Sequence, residues 1–222
     1  MSQETWTDVD AYFCERLVQT DSALEQALRD SDTAGLPPHN VAPNQGKFLH
    51  LLVQMQGAKT ILEFGTLGGY STIWLARALP EGGRVVTLEA NAAHAEVARR
   101  NIERAGLAHR VDIRIGKAAD TLPQLELEGI APFDFVFIDA DKPSNPLYLE
   151  WSLRLARPGT VIIGDNVVRN GAVSDAASTD SNVIGVRSFF DLMAGHPRLS
   201  ATALQTVGSK GYDGFSMAIV IG

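Results

Sequence analysis

Phe133-Asp-Phe-Val-Phe-Ile-Asp-Ala-Asp-Lys142 is a mostly apolar run that stops abruptly on hard oxygen donors and a lysine. Val161-Ile-Ile-Gly-Asp-Asn166 repeats the construction further along the chain. In an open α/β sheet such strand ends meet at the crevice where ligands bind. Asp139, Asp165 and Asn166 are thereby placed to converge on one divalent cation, with Lys142 beside it. Carboxylate and amide oxygens without paired His or Cys favour Mg²⁺ or a similar hard ion over zinc. A neighbouring cation disfavours an ammonium, which makes Lys142 a candidate general base. The competing reading is that each Asp caps the following helix and that Lys142 is solvated or paired with Asp141.

Outward from these two strands the pattern alternates. Short apolar runs at Thr60–Phe64, Arg84–Leu88, Val111–Ile115, Phe133–Ile138 and Thr160–Ile163 read as strands. Helical segments are expected over 71–79, 92–105, 119–127, 147–156 and 183–194. The last two strands, Leu199–Thr206 and Phe215–Ile221, are joined through Gly208-Ser-Lys-Gly-Tyr-Asp-Gly214. That connection is too short for a parallel crossover and implies an antiparallel hairpin. Upstream, apolar residues from about Trp6 to Arg29 recur at helical spacing, Gly35-Leu-Pro-Pro-His39 is a break, and 45–56 is helical. The expected fold is α/β: a Rossmann-like, doubly wound, seven-stranded, mostly parallel sheet with an antiparallel C-terminal hairpin and helices on both faces. It forms a single domain, 1–222, with a helical cap (1–57) over one side of the crevice and an α/β core (58–222).

Leu62-Glu-Phe-Gly-Thr-Leu-Gly-Gly-Tyr-Ser71 follows the first strand and opens a helix. Gly65 permits a tight turn against which a ligand can lie. The spacing G-x-x-G-G departs from the dinucleotide pattern G-x-G-x-x-G. Glu63 would repel a pyrophosphate and suits a ligand with an ammonium group, such as the methionine end of S-adenosylmethionine. Glu89, at the end of the second strand, can accept hydrogen bonds from both hydroxyls of a ribose.

Composition narrows the partners. The formal charge of the 222 residues is −7, and no basic block suggests nucleic acid. No apolar run approaches the roughly 20 residues of a membrane helix. The polar N-terminus lacks a signal-peptide profile. A single cysteine, Cys14, fits a reducing, cytoplasmic setting.

Taken together, Pro43-Asn-Gln-Gly-Lys-Phe-Leu49, Leu62–Ser71, Phe137-Ile-Asp-Ala-Asp-Lys142, Arg157-Pro-Gly159, Asp165-Asn166 with Gly171-Ala-Val173, and Asp213-Gly214 span nearly the whole chain in order. In this the chain resembles the cation-dependent class I O-methyltransferases of the catechol and caffeoyl-CoA type. The resemblance implies S-adenosylmethionine contacts from Val41, Glu63, Gly65, Thr66, Ser71, Glu89, Ala118, Asp139 and Tyr148, with Ala118 acting through its backbone beside the adenine. It implies Asp139, Asp165 and Asn166 as ligands of Mg²⁺ or a similar divalent cation. Lys142 would be the catalytic base, with Asp139 facing both cofactor and metal. A homodimer acting on a small phenolic substrate is expected. Departures from the family pattern fall at Asn145, where an aromatic is common, at Arg169, where many relatives are apolar, and in the polar, lid-like stretch 174–182. All three would shape the acceptor pocket, and Arg169 would receive a carboxylate or phosphate or stand as a solvated charge.

The reaction so implied is in-line methyl transfer to one of two adjacent hydroxyls of a catechol-like or hydroxycinnamoyl-like molecule. Lowering a phenol pKa of about 10 by ~3 units requires ~4 kcal/mol, within reach of a directly bound cation. The alternatives are a metal-independent small-molecule methyltransferase, which a chelator assay separates, and a non-catalytic S-adenosylmethionine-binding module, which would bind without turnover.

Overall fold

The computed structural model describes residues 2–19 and 21–222. The N-terminal region forms three helices: α1 (Gln3–Leu17), α2 (Ser22–Thr33) and α3 (Pro43–Gln56). The apolar spacing over 6–29 is therefore two helices rather than one run. The second starts at Asp21, whose carboxylate accepts the N–H groups of Ala23 and Leu24 at 3.1 and 3.0 Å and so caps it. Thr20 lies outside the described residues. The split also divides the stripe: Leu24 and Ala27 are buried, while Val9, Tyr12, Phe13 and Leu17 of α1 are exposed.

Strands and helices then alternate: β1 (Thr60–Phe64), α4 (Tyr70–Ala78), β2 (Arg84–Glu89), α5 (Ala92–Arg104), β3 (Val111–Ile115), α6 (Ala118–Leu127), β4 (Phe133–Ile138), α7 (Asn145–Arg154), β5 (Ala156–Asp165) and α8 (Ser181–Gly195). Pro123 lies inside α6 without ending it. The chain closes with β6 (Leu199–Gly208) and β7 (Gly211–Val220). The strand order is β3-β2-β1-β4-β5-β7-β6, with β7 antiparallel to both neighbours. The hairpin is tighter than its glycines suggest, because Gly208 pairs with Gly211 and only Ser209 and Lys210 turn the chain.

The period of two along the strands sends side chains to two separate cores. Ile61, Phe135, Phe137 and Ile163 pack under α2–α5, and Leu62, Phe64, Val136 and Ile138 pack under α6–α8. The central strands are buried on both faces, as a parallel sheet covered by helices requires. At the edge away from the strand ends, Asp134 accepts the N–H groups of Lys59 and Thr60 and pairs with Arg157. Burial opposes its charge, but these donors outweigh burial and hold its carboxyl below the ordinary value. The Arg157-Pro-Gly159 stretch thus serves the sheet, far from the crevice. Among the described residues, no helix is long and apolar enough to cross a membrane.

Candidate active site

A cavity of about 670 Å³ opens over the carboxyl ends of β1, β2, β4 and β5, within the usual range for small-molecule sites. Its lower wall is the turn after β1. Gly65 has φ +94°, and a Cβ there would stand 2.2 Å from the Asp139 carbonyl oxygen, so only glycine lets β1 and β4 end side by side. Asn101, fully buried on α5, holds the turn by donating to the Gly68 carbonyl at 2.9 Å.

Glu89 closes one end of the cavity. Its carboxylate accepts the N–H of Leu67 at 2.8 Å and of Asn91 at 2.9 Å, which fixes it while leaving lone pairs for further donors. Val41, Gly65, Thr66, Ser71 and Ala118 share this wall with it.

Glu63 is elsewhere. Its side chain is fully buried beneath the turn and is not part of the cavity wall. Three hydroxyls donate to it: Ser71 at 2.6 Å, Thr72 at 2.5 Å and Thr87 at 2.7 Å. The Thr87 hydroxyl spends its proton on Glu63, so Thr66, 2.6 Å away, must donate to Thr87. Burial pushes the carboxyl up to about 7, against the pull of these hydroxyls. Direct contact with a ligand's ammonium is therefore not its place; it holds together the turn that carries Thr66 and Ser71.

The acid and lysine cluster lies between β4 and β5. Lys142, buried in the short turn after β4, sits 3.3 Å from Asp139 Oδ1. Asp141 next to it accepts the Tyr148 hydroxyl, and Tyr148 packs on Phe64 with ring centroids 4.7 Å apart. Burial and this carboxylate both raise the Tyr148 phenol. Asp165 is buried at the end of β5; burial first, then the charge of Asp139, raises its carboxyl, while Lys142 opposes them. Asp139, Lys142, Tyr148, Asp165 and Asn166 all line the cavity.

Gln45 carries no assigned role within the stretch Pro43–Leu49, yet it donates to Asp165 Oδ2 at 2.7 Å. Thr72 and Thr87 are further residues that no motif singles out, and their only local signal is a hydroxyl facing inward on a buried helix or strand. The loop after β5 has an unexpected support as well. Asn166, Arg169 and Asn170 have φ of +52°, +55° and +55°, a conformation that asparagine adopts readily but that costs a residue such as Arg169 roughly 1–2 kcal/mol. Asp213 at the start of β7 offsets this by accepting the N–H groups of Val168 and Arg169 at 2.9 and 3.1 Å. Gly214 allows the approach, since a Cβ there would meet the Leu204 carbonyl at 2.2 Å and Val168 Cγ2 at 2.7 Å.

Of the positions that depart from the family pattern, Arg169 and Asn182 reach the cavity wall, whereas Asn145 is wholly buried behind it. Of the N-terminal helices, the end of α2 (Ser31), the following segment 37–41 and Gln45 of α3 border the cavity, and no residue of α1 does.

The donor set suits a hard cation. Among the described residues no three His, Cys, Asp or Glu side chains form a metal cluster; here two carboxylates are joined by an amide. Lys142 pairs with the half-buried Asp139 and opposes the repulsion between Asp139 and the buried Asp165, a repulsion that a divalent ion would relieve.

The O-methyltransferase family profile matches residues 15–217. A catechol O-methyltransferase of Niastella koreensis is 53% identical over 220 residues, covering 99% of this chain and all of that one. An O-methyltransferase from Bacillus cereus, solved in complex with SAH, superposes with a TM-score of 0.97 at 63% identity, covering 99% of this chain and 100% of that one. TomG from Streptomyces achromogenes, solved with SAM, does so with a TM-score of 0.97 at 50% identity over the full length of both chains. A match of this extent, on a sheet whose strand ends carry Gly65, Glu89, Asp139 and Asp165 to one cavity, places the chain in the O-methyltransferase family.

Proposed function

We propose that this enzyme transfers the methyl group of S-adenosylmethionine to one of two adjacent hydroxyls of a catechol-like or hydroxycinnamoyl-like phenol, with a divalent cation held by Asp139, Asp165 and Asn166. The observation that carries the reading is the group of half-buried Asp139 with buried Lys142 and Asp165, lining the same cavity as Glu89 and Gly65.

In this reading Glu89 receives the ribose hydroxyls, and Gly65 lets the methionine end lie on bare backbone. Ala118 borders the adenine through its backbone, and Val41 and Ser71 close the sides. Tyr148, fixed by Asp141 and Phe64, walls the cavity next to the reacting groups. A bound Mg²⁺-like ion would supply Lewis acidity at the acceptor oxygen. Lys142, as the neutral amine that a neighbouring cation would favour, takes the hydroxyl proton onto Nζ, and Asp139, 3.3 Å away, holds the ammonium that results. Gln45 and the Asn166 N–H, 2.7 and 2.8 Å from the two oxygens of Asp165, keep that carboxylate oriented. Fixing both reactants in one cavity supplies proximity.

The test is a methyl-transfer assay with catechol and S-adenosylmethionine, run with Mg²⁺ and with excess chelator. The reading requires turnover that the chelator abolishes while cofactor binding persists; full activity in chelator overturns the metal role.

A second copy of the chain is the proposed partner. Tyr12, Phe13 and Leu17 of α1 and Leu51 and Met55 of α3 are exposed on packed helices, with Leu204 and Val207 on edge strand β6. Exposed apolar residues grouped in this way mark an association surface. Sedimentation at micromolar concentration should give twice the chain mass, and Leu17→Glu should shift it to one.

A further inference from the structure

Two cations on the cavity wall, Arg169 and Lys210, have no acidic partner within ion-pair distance among the described residues. Lys142, by contrast, is matched to Asp139.

Both are held from the backbone. Arg169 sits at φ +55°, with its N–H on Asp213. A half-buried arginine kept in a strained conformation, without a side-chain partner, is a functional candidate rather than a packing element. Lys210 occupies the β6–β7 turn, which α1 clasps: Asp10 Oδ2 accepts the Ser209 N–H at 2.7 Å, and Gln3 donates to the Gly208 carbonyl at 3.0 Å. Its ammonium donates to the Pro38 carbonyl at 3.0 Å, leaving two of its three donors free.

The strand order fixes which end of the cavity they serve. Glu89 stands on β2, the acid and lysine group on β4 and β5, and Arg169 and Lys210 lie beyond, on the loop after β5 and the β7-β6 hairpin. The nucleoside end is thus opposite to them, and the acceptor end is theirs. The carboxylates lining the cavity at the β4 and β5 ends are those of Asp139, Asp141 and Asp165; Asn40 and Asn182 on the same wall are neutral amides, and Asp180 on the lid stretch feels the Arg169 charge without pairing with it.

From this arrangement we infer that Arg169 and Lys210 receive an anionic substituent of the acceptor, so that the preferred substrate is a vicinal-dihydroxy aromatic bearing a carboxylate. Arginine presents a planar fork that matches a carboxylate, and lysine adds a mobile point charge. The inference rests on the O-methyl transfer reading and adds the acceptor's charge to it.

The test compares kcat/KM for catechol, 3,4-dihydroxybenzoate and dopamine, which differ in charge but share the diol. Wild type, Arg169→Gly, Arg169→Glu and Lys210→Met are assayed at saturating S-adenosylmethionine and Mg²⁺. Glycine suits the φ of position 169, and S-adenosylmethionine binding by each variant verifies its fold. Wild type should favour the benzoate over catechol by about tenfold or more, the worth of one charged hydrogen bond. Each neutral variant should lose most of that ratio, chiefly through KM, and Arg169→Glu should turn the order toward dopamine. Equal rates on all three acceptors, or variants that scale all three alike, overturn the inference while leaving O-methyl transfer intact. Failure to methylate any of them, with cofactor bound, overturns both.

Discussion

Gln45 Nε2 donates to Asp165 Oδ2 at 2.7 Å, tying the first turn of α3 to the last residue of β5 across 120 positions of sequence. The bond orients a buried carboxylate that burial and Asp139 already press toward protonation. Groups that orient a metal-binding carboxylate typically contribute 10–100-fold to affinity or activity. Gln45→Ala should therefore raise the Mg²⁺ concentration needed for half-maximal activity by about tenfold, with S-adenosylmethionine affinity unchanged. A cation titration of initial rates checks it, and an unshifted midpoint would mean the bond is only structural.

Glu63 makes stability depend on pH. Its carboxyl rises from 4.5 to about 7 on folding. Below the lower value it is protonated in folded and unfolded chains alike and changes nothing. Between the two values the unfolded chain ionises first, so stability falls as pH rises, by roughly 3 kcal/mol in all. Above the upper value the loss is constant. Thermal melts of wild type from pH 5 to 8 should show this decline, and Glu63→Gln should flatten it, leaving the part due to Asp165. A wild-type melting temperature that climbs over that interval would contradict the assignment.

Asp213 touches neither the cavity nor the reacting groups, yet it supports the left-handed residues of the loop after β5. Removing it leaves the N–H groups of Val168 and Arg169 without their acceptor, at about 1–3 kcal/mol. Asp213→Ala should lower the melting temperature accordingly and depress kcat/KM for the acceptor far more than it weakens S-adenosylmethionine binding. Equal losses on both substrates would locate the damage in the fold as a whole.

Gly185 on α8 packs against the turn that presents Lys142. A Cβ there would stand 2.2 Å from the Lys142 carbonyl oxygen and 2.7 Å from Pro143 Cα. Backbone cannot yield as a side chain tip can. Gly185→Ala should cost about 1–3 kcal/mol through overpacking and displace Lys142, the proposed base, enough to reduce kcat by up to ~100-fold. Stopped-assay kinetics with a parallel melt separates the two effects; an unchanged kcat in a folded variant would show that Lys142 does not depend on this contact.

Strands were legible where composition and punctuation agreed. Phe133–Ile138 is apolar on both faces and ends on acids, and it folds as read. The meeting of Asp139 and Asp165 at one cavity was legible for the same reason, since adjacent parallel strands that end on acids bring them to the same edge of the sheet. The two N-terminal helices merged in the sequence because apolar spacing continues past the break, and Asp21 as a cap is a single-residue signal. Tyr212 and Asp213 looked like loop because they are polar among glycines, although they pair in the ladder. What stayed hidden was long-range. Gln45 with Asp165, Thr87 with Glu63 and Asp213 with Arg169 are hydrogen bonds between distant segments, and no local pattern encodes them.

α1 buries none of its own side chains, yet its Gln3 and Asp10 hold the turn that presents Lys210. A helix so lightly seated gains rigidity from whatever covers its outer stripe. If the proposed second copy covers that stripe, quaternary contact and the inferred acceptor selectivity become coupled through one element: diluting the enzyme until the copies separate would then loosen that turn and blur the distinction between charged and neutral phenols, with the transfer step itself unimpaired.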